Sequence, residues 1–128
     1  MVGFVMVSHS RKLAEGAVDL GLLMAPEVLA EAAGGLPDGD MGTDYERILE
    51  AVTRVREQSP DGVLIIADMG SSCMTTEMVL EDLDDPQIVM ADCPFAEGAV
   101  AAMVAAAGGA SLEEVKQAAE EAREARKF

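Results

Sequence analysis

The chain holds one histidine, His9, in the segment Ser8-His9-Ser10 directly after the apolar run Val2–Val7. An imidazole suits a group that must be taken up and released near neutral pH, because its two nitrogens can divide proton handling from nucleophilic attack. A second chemically loaded segment, Asp68-Met69-Gly70-Ser71-Ser72, follows the run Val63–Ala67. If the two runs are neighbouring strands, His9 and Asp68 stand on adjacent strand tips about 4.7–4.9 Å apart. The Asp68 carboxylate can then accept the proton of one ring nitrogen and fix the tautomer. The other nitrogen is left as an in-line acceptor for a phosphoryl group. Backbone N–H groups at the starts of the following helices, near Ser10-Arg11 and Ser71-Ser72, would cradle the phosphate oxygens. The hydroxyls of Ser71, Ser72 and Thr43 would add donors without fixed charge, which suits a group that must leave again.

Each of these residues also has a structural role open to it. A lone histidine at a strand end can be a satisfied loop residue, and Asp68 can simply cap the helix that follows. Gly34-Gly35 and Gly70 can be ordinary turn glycines. Convergence of the polar residues on one rim of one sheet is what favours chemistry. Other signatures are absent: the chain has no G-x-x-x-x-G-K-[ST], no G-x-G-x-x-G and no G-x-S-x-G. Cys73 and Cys93 lie twenty residues apart without a CxxC or zinc spacing, so they read as buried reduced thiols. With a single histidine and no neighbouring Cys–His motif, neither a zinc site nor a thiol protease is expected, and without the Gly-rich motifs no bound cofactor is expected either.

The elements that must position these residues alternate. Strand patterns fall at Val2–Val7, Val28–Ala33, Val63–Ala67 and Ile88–Ala91, separated by helical patterns. The first helix, Leu13–Met24, carries Leu13, Ala17, Leu20 and Met24 at helical spacing. After a Gly- and Asp-rich loop (Leu36–Gly42), Thr43 and Glu46 read as a capping box for a helix with Ile48, Ala51, Val52 and Val55 on one face. Further helices are expected over about Cys73–Leu83, Phe95–Ala107 and, from a Ser111/Glu114 capping box, to about Arg126. Near-continuously apolar strands between helices imply parallel βαβ units, and hence one domain over 1–128: a three-layer α/β sandwich around a mainly parallel four-stranded sheet. Ligands of such sheets bind beyond the carboxyl ends of the strands, where the strand order reverses.

Half of the 128 residues are apolar, enough for a real core, although only three Phe and one Tyr contribute aromatic bulk. The formal charge of −15, from 24 acidic and nine basic side chains, argues against nucleic acid as a partner. No apolar stretch is long enough for a membrane span, and the N-terminal run lacks the basic flank of a signal peptide, so a cytoplasmic location is expected.

The segments VGFVMVSHSRKLAEGAVDL, AAGG, MGTDYERILEAV, GVLIIADMGSSCMTTEMVLEDL and DCPFAEGAVAAMVAAAGG occur in this order from Val2 to Gly109. Together they resemble the phosphotransferase subunits (DhaM) of phosphoenolpyruvate-dependent dihydroxyacetone kinases, a family that shares the fold of mannose-type IIA components of the sugar phosphotransferase system. Mannose-type proteins usually carry G-G-S-P after the third-strand aspartate. This chain reads Asp68-Met69-Gly70-Ser71-Ser72, which favours the dihydroxyacetone branch. The resemblance implies that His9 is phosphorylated, that Asp68 is its carboxylate partner, that Gly70, Ser71 and Ser72 match the M-G-S segment, and that Gly42 and Thr43 match the G-T element. It also implies that HPr donates the phosphoryl group and that ADP on a nucleotide-binding kinase subunit receives it, with a further subunit binding dihydroxyacetone. A homodimer is implied as well, with the helices Phe95–Ala107 and after Ser71 as candidate interfaces. A sugar-type IIA component and a non-catalytic module docking on a kinase remain as alternatives.

Overall fold

A computed structural model describes all residues, 1–128. Its strands are β1 (Gly3–Ser8), β2 (Ala30–Gly34), β3 (Val63–Ala67) and β4 (Ile88–Met90). They form one parallel sheet in the order β2-β1-β3-β4, so the chain reverses direction across the sheet between β1 and β3. Five helices cover it: α1 (Arg11–Met24), α2 (Tyr45–Gln58), α3 (Ser71–Leu83), α4 (Phe95–Ala107) and α5 (Leu112–Glu121). The three-layer α/β sandwich expected from the alternating pattern is the fold observed.

Alternation along the strands builds two cores, one on each side of the sheet. Phe4 and Met6 of β1 and Leu64 and Ile66 of β3 point to the side covered by α1, α4 and α5, where Met103, Ala102, Val115 and Ala119 meet them. Val5, Val7, Val63 and Ile65 point the other way, onto Ile48, Val52 and Val55 of α2 and Val79 of α3. Each large apolar side chain taken fully out of water in this way contributes roughly 1.5–3 kcal/mol. Strands buried on both faces leave little room for polar residues, so chemistry is confined to the strand ends.

The departures from the sequence reading are local. Strand β2 runs two residues later at its start and one later at its end than Val28–Ala33, and Val28 is buried just before it. Helix α1 starts at Arg11, because the Ser10 side chain accepts the Leu13 N–H as N-cap. Its buried face is Ala14, Ala17, Val18 and Gly21, whereas Leu13, Leu20 and Met24 are exposed. The reason is close approach: a Cβ on Gly21 would fall 2.1 Å from Met103 Sδ, so only small residues let α1 lie against α4. For α2 the N-cap is Asp44, accepting from the Arg47 N–H at 2.9 Å, and the Thr43/Glu46 capping box does not form. Helix α3 begins at Ser71, two residues early, and α5 ends at Glu121 in a short 3-10 turn rather than running on to Arg126. The Ser111/Glu114 capping box is present as read.

One glycine bears directly on the positioning of His9. Gly34, which ends β2 opposite Ser8, packs on the first turn of α1. A Cβ there would meet Ser10 O at 2.6 Å and Arg11 Cα at 2.8 Å, both backbone atoms that cannot rotate away. Gly34→Ala should therefore destabilise the protein by about 1–3 kcal/mol through overpacking. Gly16→Ala, within α1 and with nothing within 4 Å of its new Cβ, should instead stabilise it by about 0.5–1 kcal/mol. Urea unfolding of the two variants beside the parent chain measures both, and equal midpoints would refute the packing argument.

Candidate functional site

Parallel pairing of β1 with β3 in the register Val7↔Ala67 carries the two strands to a common edge. The Asp68 N–H donates to Val7 O at 3.0 Å, so the ladder continues one step past the last strand pair. His9 and Asp68 are thereby fixed beside each other at the reversal of strand order, where ligands of open α/β sheets bind.

Asp68 collects donors. Its Oδ2 accepts from the Ser8 hydroxyl at 2.9 Å and the His9 N–H at 3.1 Å, and its Oδ1 accepts from the Met69 N–H at 2.7 Å. Burial would push this carboxyl up, but the hydroxyls of Ser72 and Ser8 and the N–H groups of His9 and Met69 outweigh it and hold Asp68 below the usual aspartate range. A carboxylate can only accept. The 3.1 Å contact between Asp68 Oδ1 and His9 Nδ1 therefore requires the proton on Nδ1, leaving Nε2 as the acceptor nitrogen. The Ser71 hydroxyl lies 2.8 Å from Nε2 and donates to it. Ser72 Oγ lies 3.1 Å from Nδ1. Thr43 Oγ1 joins the group from the loop before α2, 2.9 Å from Ser71 Oγ and 3.4 Å from Ser72 Oγ. Of the pair, the histidine side chain keeps 32% of its surface in solvent against 11% for the aspartate, so the ring remains reachable while its partner is enclosed.

The structure thus brings together His9, Asp68, Ser71, Ser72 and Thr43. Gly70 ends the turn before them: it is the N-cap of α3 with φ +54, a conformation that costs glycine little. Since Gly70 occupies the cap, Asp68 is not the helix cap that one reading of the sequence allowed. Ser10 stands apart from the ring. Its hydroxyl caps α1 and its N–H is held by Ser8 Oγ at 2.9 Å, so it anchors the loop. Of the N–H groups at the helix starts, that of Ser72 is bonded to Met69 O, while those of Gly70, Ser71 and Arg11 have no acceptor within the protein. These unbonded N–H groups and the positive helix ends face the histidine side of the sheet.

Ser8 is a residue the sequence reading passed over. It is buried, donates to Asp68 and accepts from Ser10, so it ties the strand end to the carboxylate. Its presence in the Ser8-His9-Ser10 segment was the available signal. Gly42, too, does more than turn: its N–H donates to His9 O at 2.9 Å and pins the histidine backbone to the loop carrying Thr43. The two cysteines are free and partly buried, and line a hollow of about 320 Å³ beside Asp68 with Glu77 and Asp92. Burial, with the Glu120 and Asp92 charges, pushes the Cys93 thiol up to about 11, and burial also raises Cys73. Both stay protonated and poor as nucleophiles.

The family model for the PTS system fructose IIA component matches residues 3–116. The chain is 33% identical to the phosphotransferase subunit DhaM of the PTS-dependent dihydroxyacetone kinase of Lactococcus lactis, covering 90% of each. It is 37% identical to the phosphoryl donor subunit DhaM of the PEP-dependent dihydroxyacetone kinase of Escherichia coli, there spanning only 25% of the relative's length. A crystal structure of a protein of unknown function superposes with a TM-score of 0.83 at 25% identity, over 94% of this chain and 93% of that one. No helix is long and apolar enough to cross a membrane.

Replacing Asp68 by Asn tests the reading of the carboxylate. Each carboxylate oxygen accepts from one backbone N–H, so an amide must turn its NH2 toward one of them, and the variant should lose about 1–3 kcal/mol near neutral pH. Because the folded-state pKa is depressed, this stabilisation is fully present above the unfolded value of about 4 and is lost as pH falls through the folded one. Unfolding free energies of parent and variant should therefore differ most above pH 5 and converge below pH 4. A gap independent of pH would show that the charge is not the cause.

Proposed function

Because the chain belongs to the PTS fructose IIA component family and, within it, to the DhaM subunits of dihydroxyacetone kinases, we propose that it is a phosphohistidine carrier acting through His9 Nε2. The observation that carries this reading is the division of the imidazole: Nδ1 is held by Asp68 and Nε2 is turned to the hydroxyl-lined opening. Nε2 attacks the phosphorus of a donor phosphohistidine, the donor N–P bond breaks, and the electron pair returns to the donor ring. The new N–P bond leaves a positive charge on the His9 ring, which the Asp68 carboxylate offsets through Nδ1–H. The Ser71 hydroxyl, released from Nε2, turns to a phosphoryl oxygen, with Thr43 and the N–H groups of Gly70 and Ser71 as further donors. Discharge reverses the sequence: an incoming phosphate oxygen bonds to phosphorus, the N–P bond breaks and Nε2 regains its lone pair.

The route we propose runs from HPr to His9 and from His9 to ADP held on the nucleotide-binding subunit of a dihydroxyacetone kinase, whose dihydroxyacetone-binding subunit is the final acceptor. The names of the relatives support this route over a sugar-specific one, as does the lack of the G-G-S-P element. Labelling with phosphoenolpyruvate, enzyme I and HPr should phosphorylate the parent chain and leave His9→Ala unlabelled at an unchanged melting temperature. Label in the alanine variant would end the reading. Chase with ADP and the kinase subunits should move the label to ATP, whereas transfer to a sugar-specific IIB protein would redirect the assignment.

A homodimer is part of the same proposal. Most of the apolar surface of α4 is used within the chain, and what stays exposed on this side is Leu20, Leu23 and Met24 of α1 with Val104 of α4. Sedimentation at micromolar concentration should give twice the chain mass, and Leu20→Glu with Leu23→Glu should halve it. A monomeric parent chain would remove the dimer from the proposal.

A further inference from the structure

We propose that a methionine-lined surface running from His9 along α3 is the docking face for the phosphorylated donor protein, an inference that rests on the phosphohistidine reading above. Of nine methionines, only Met6 and Met103 are buried in the core. Met41, Met69, Met74 and Met78 are 73, 68, 66 and 54% exposed, and all four belong to segments that build the site. Met69 follows Asp68 directly. Met41 precedes Gly42, whose N–H holds His9 O. On α3, Ser71, Met74 and Met78 are spaced three and four apart and so share one helix face. That face is the one presenting Ser71 Oγ to Nε2. Helical side chains lean toward the N-terminus, so Met74 leans toward Ser71 and the histidine.

The core does not need these side chains, since α3 is held by Ser72, Thr76 and Val79. Flexible thioethers left in water around a reactive nitrogen are suited to closing over a partner and excluding water from an in-line transfer. The rim is acidic: exposed Asp38 and Asp40 flank Met41, and exposed Glu77 and Glu81 flank Met74 and Met78. The complementary occupant is a protein that presents a phosphohistidine from an apolar patch ringed by basic side chains. A surface presenting a polyanionic nucleotide meets repulsion from the same rim, which favours the donor over the acceptor as occupant.

The test compares two phosphoryl donors on one pair of substitutions, Met74→Gln with Met78→Gln. Phospho-HPr needs a docking face, whereas phosphoramidate transfers its phosphoryl group to a histidine with loss of ammonia and needs none. The double variant should raise KM for phospho-HPr about ten-fold, with unchanged melting temperature and unchanged labelling by phosphoramidate. An unchanged KM for phospho-HPr would overturn the inference. So would an equal fall with both donors, which would make the methionines supports of the ring, or a defect confined to transfer onward to ADP. A parent chain that neither donor labels would overturn the phosphohistidine reading itself.

Discussion

The site depends on a single carboxylate placed by sheet register. Asp68 lies one residue beyond β3 and His9 one residue beyond β1, and the parallel ladder continues through the Asp68 N–H to Val7 O. Because the register is fixed by strands buried on both faces, the separation of imidazole and carboxylate is set by the core rather than by a flexible loop. The carboxylate is in turn saturated by Ser8, the His9 and Met69 N–H groups and Ser72, so its own orientation has little freedom. A ring nitrogen bonded to so constrained a group is held in one tautomer. Everything proposed for Nε2 follows from where Nδ1 is held.

Around Nε2 the protein supplies hydroxyls and backbone N–H groups and no lysine or arginine side chain that contacts the ring. A cationic clamp would bind a phosphoryl group tightly and slow its departure, whereas neutral donors give moderate stabilisation on both legs of a relay. The same hydroxyls also serve the empty site. Ser71 satisfies Nε2 and Thr43 satisfies Ser71, so the ring nitrogen and the hydroxyls are paired with one another between turnovers. Uptake of a phosphoryl group at Nε2, as proposed, would exchange the hydroxyl contacts of the ring for contacts to phosphoryl oxygens.

Much of this was legible in the chain because its signals were of long range and simple period. Near-continuous apolar runs identified the parallel strands, and the polar residues at their ends marked His9 and Asp68. The misreadings fell where a short-range rule met a tertiary constraint. Leu13, Leu20 and Met24 have helical spacing, yet Gly21 against Met103 decides which face of α1 is inward, and a hydrophobic pattern does not show how closely two helices approach. Thr43 and Asp44 are both competent caps; the backbone chose Asp44, freeing the Thr43 hydroxyl for Ser71. Ser10 was legible as polar but its use was not, since a cap and a phosphate donor need the same atom types. Ser8 was hidden in a strand pattern, and only the fold shows that its side chain turns onto Asp68.

The acidity of the chain bears on the relay in a way the individual contacts do not reveal. Phosphorylation of His9 would add negative charge to a molecule already at −15, with acidic side chains such as Glu77 and Asp92 near the same rim. Repulsion among these charges acts on the phosphorylated state and not on the free one, so it raises the tendency of the phosphoryl group to leave. Positive helix ends and unbonded N–H groups at α1 and α3 oppose it locally, within the first turn where they act. A carrier must lie between its donor and its acceptor in transfer potential. On the proposed reading of His9, a short-range attraction would fix the group in place, and a longer-range repulsion would keep it from being held too firmly.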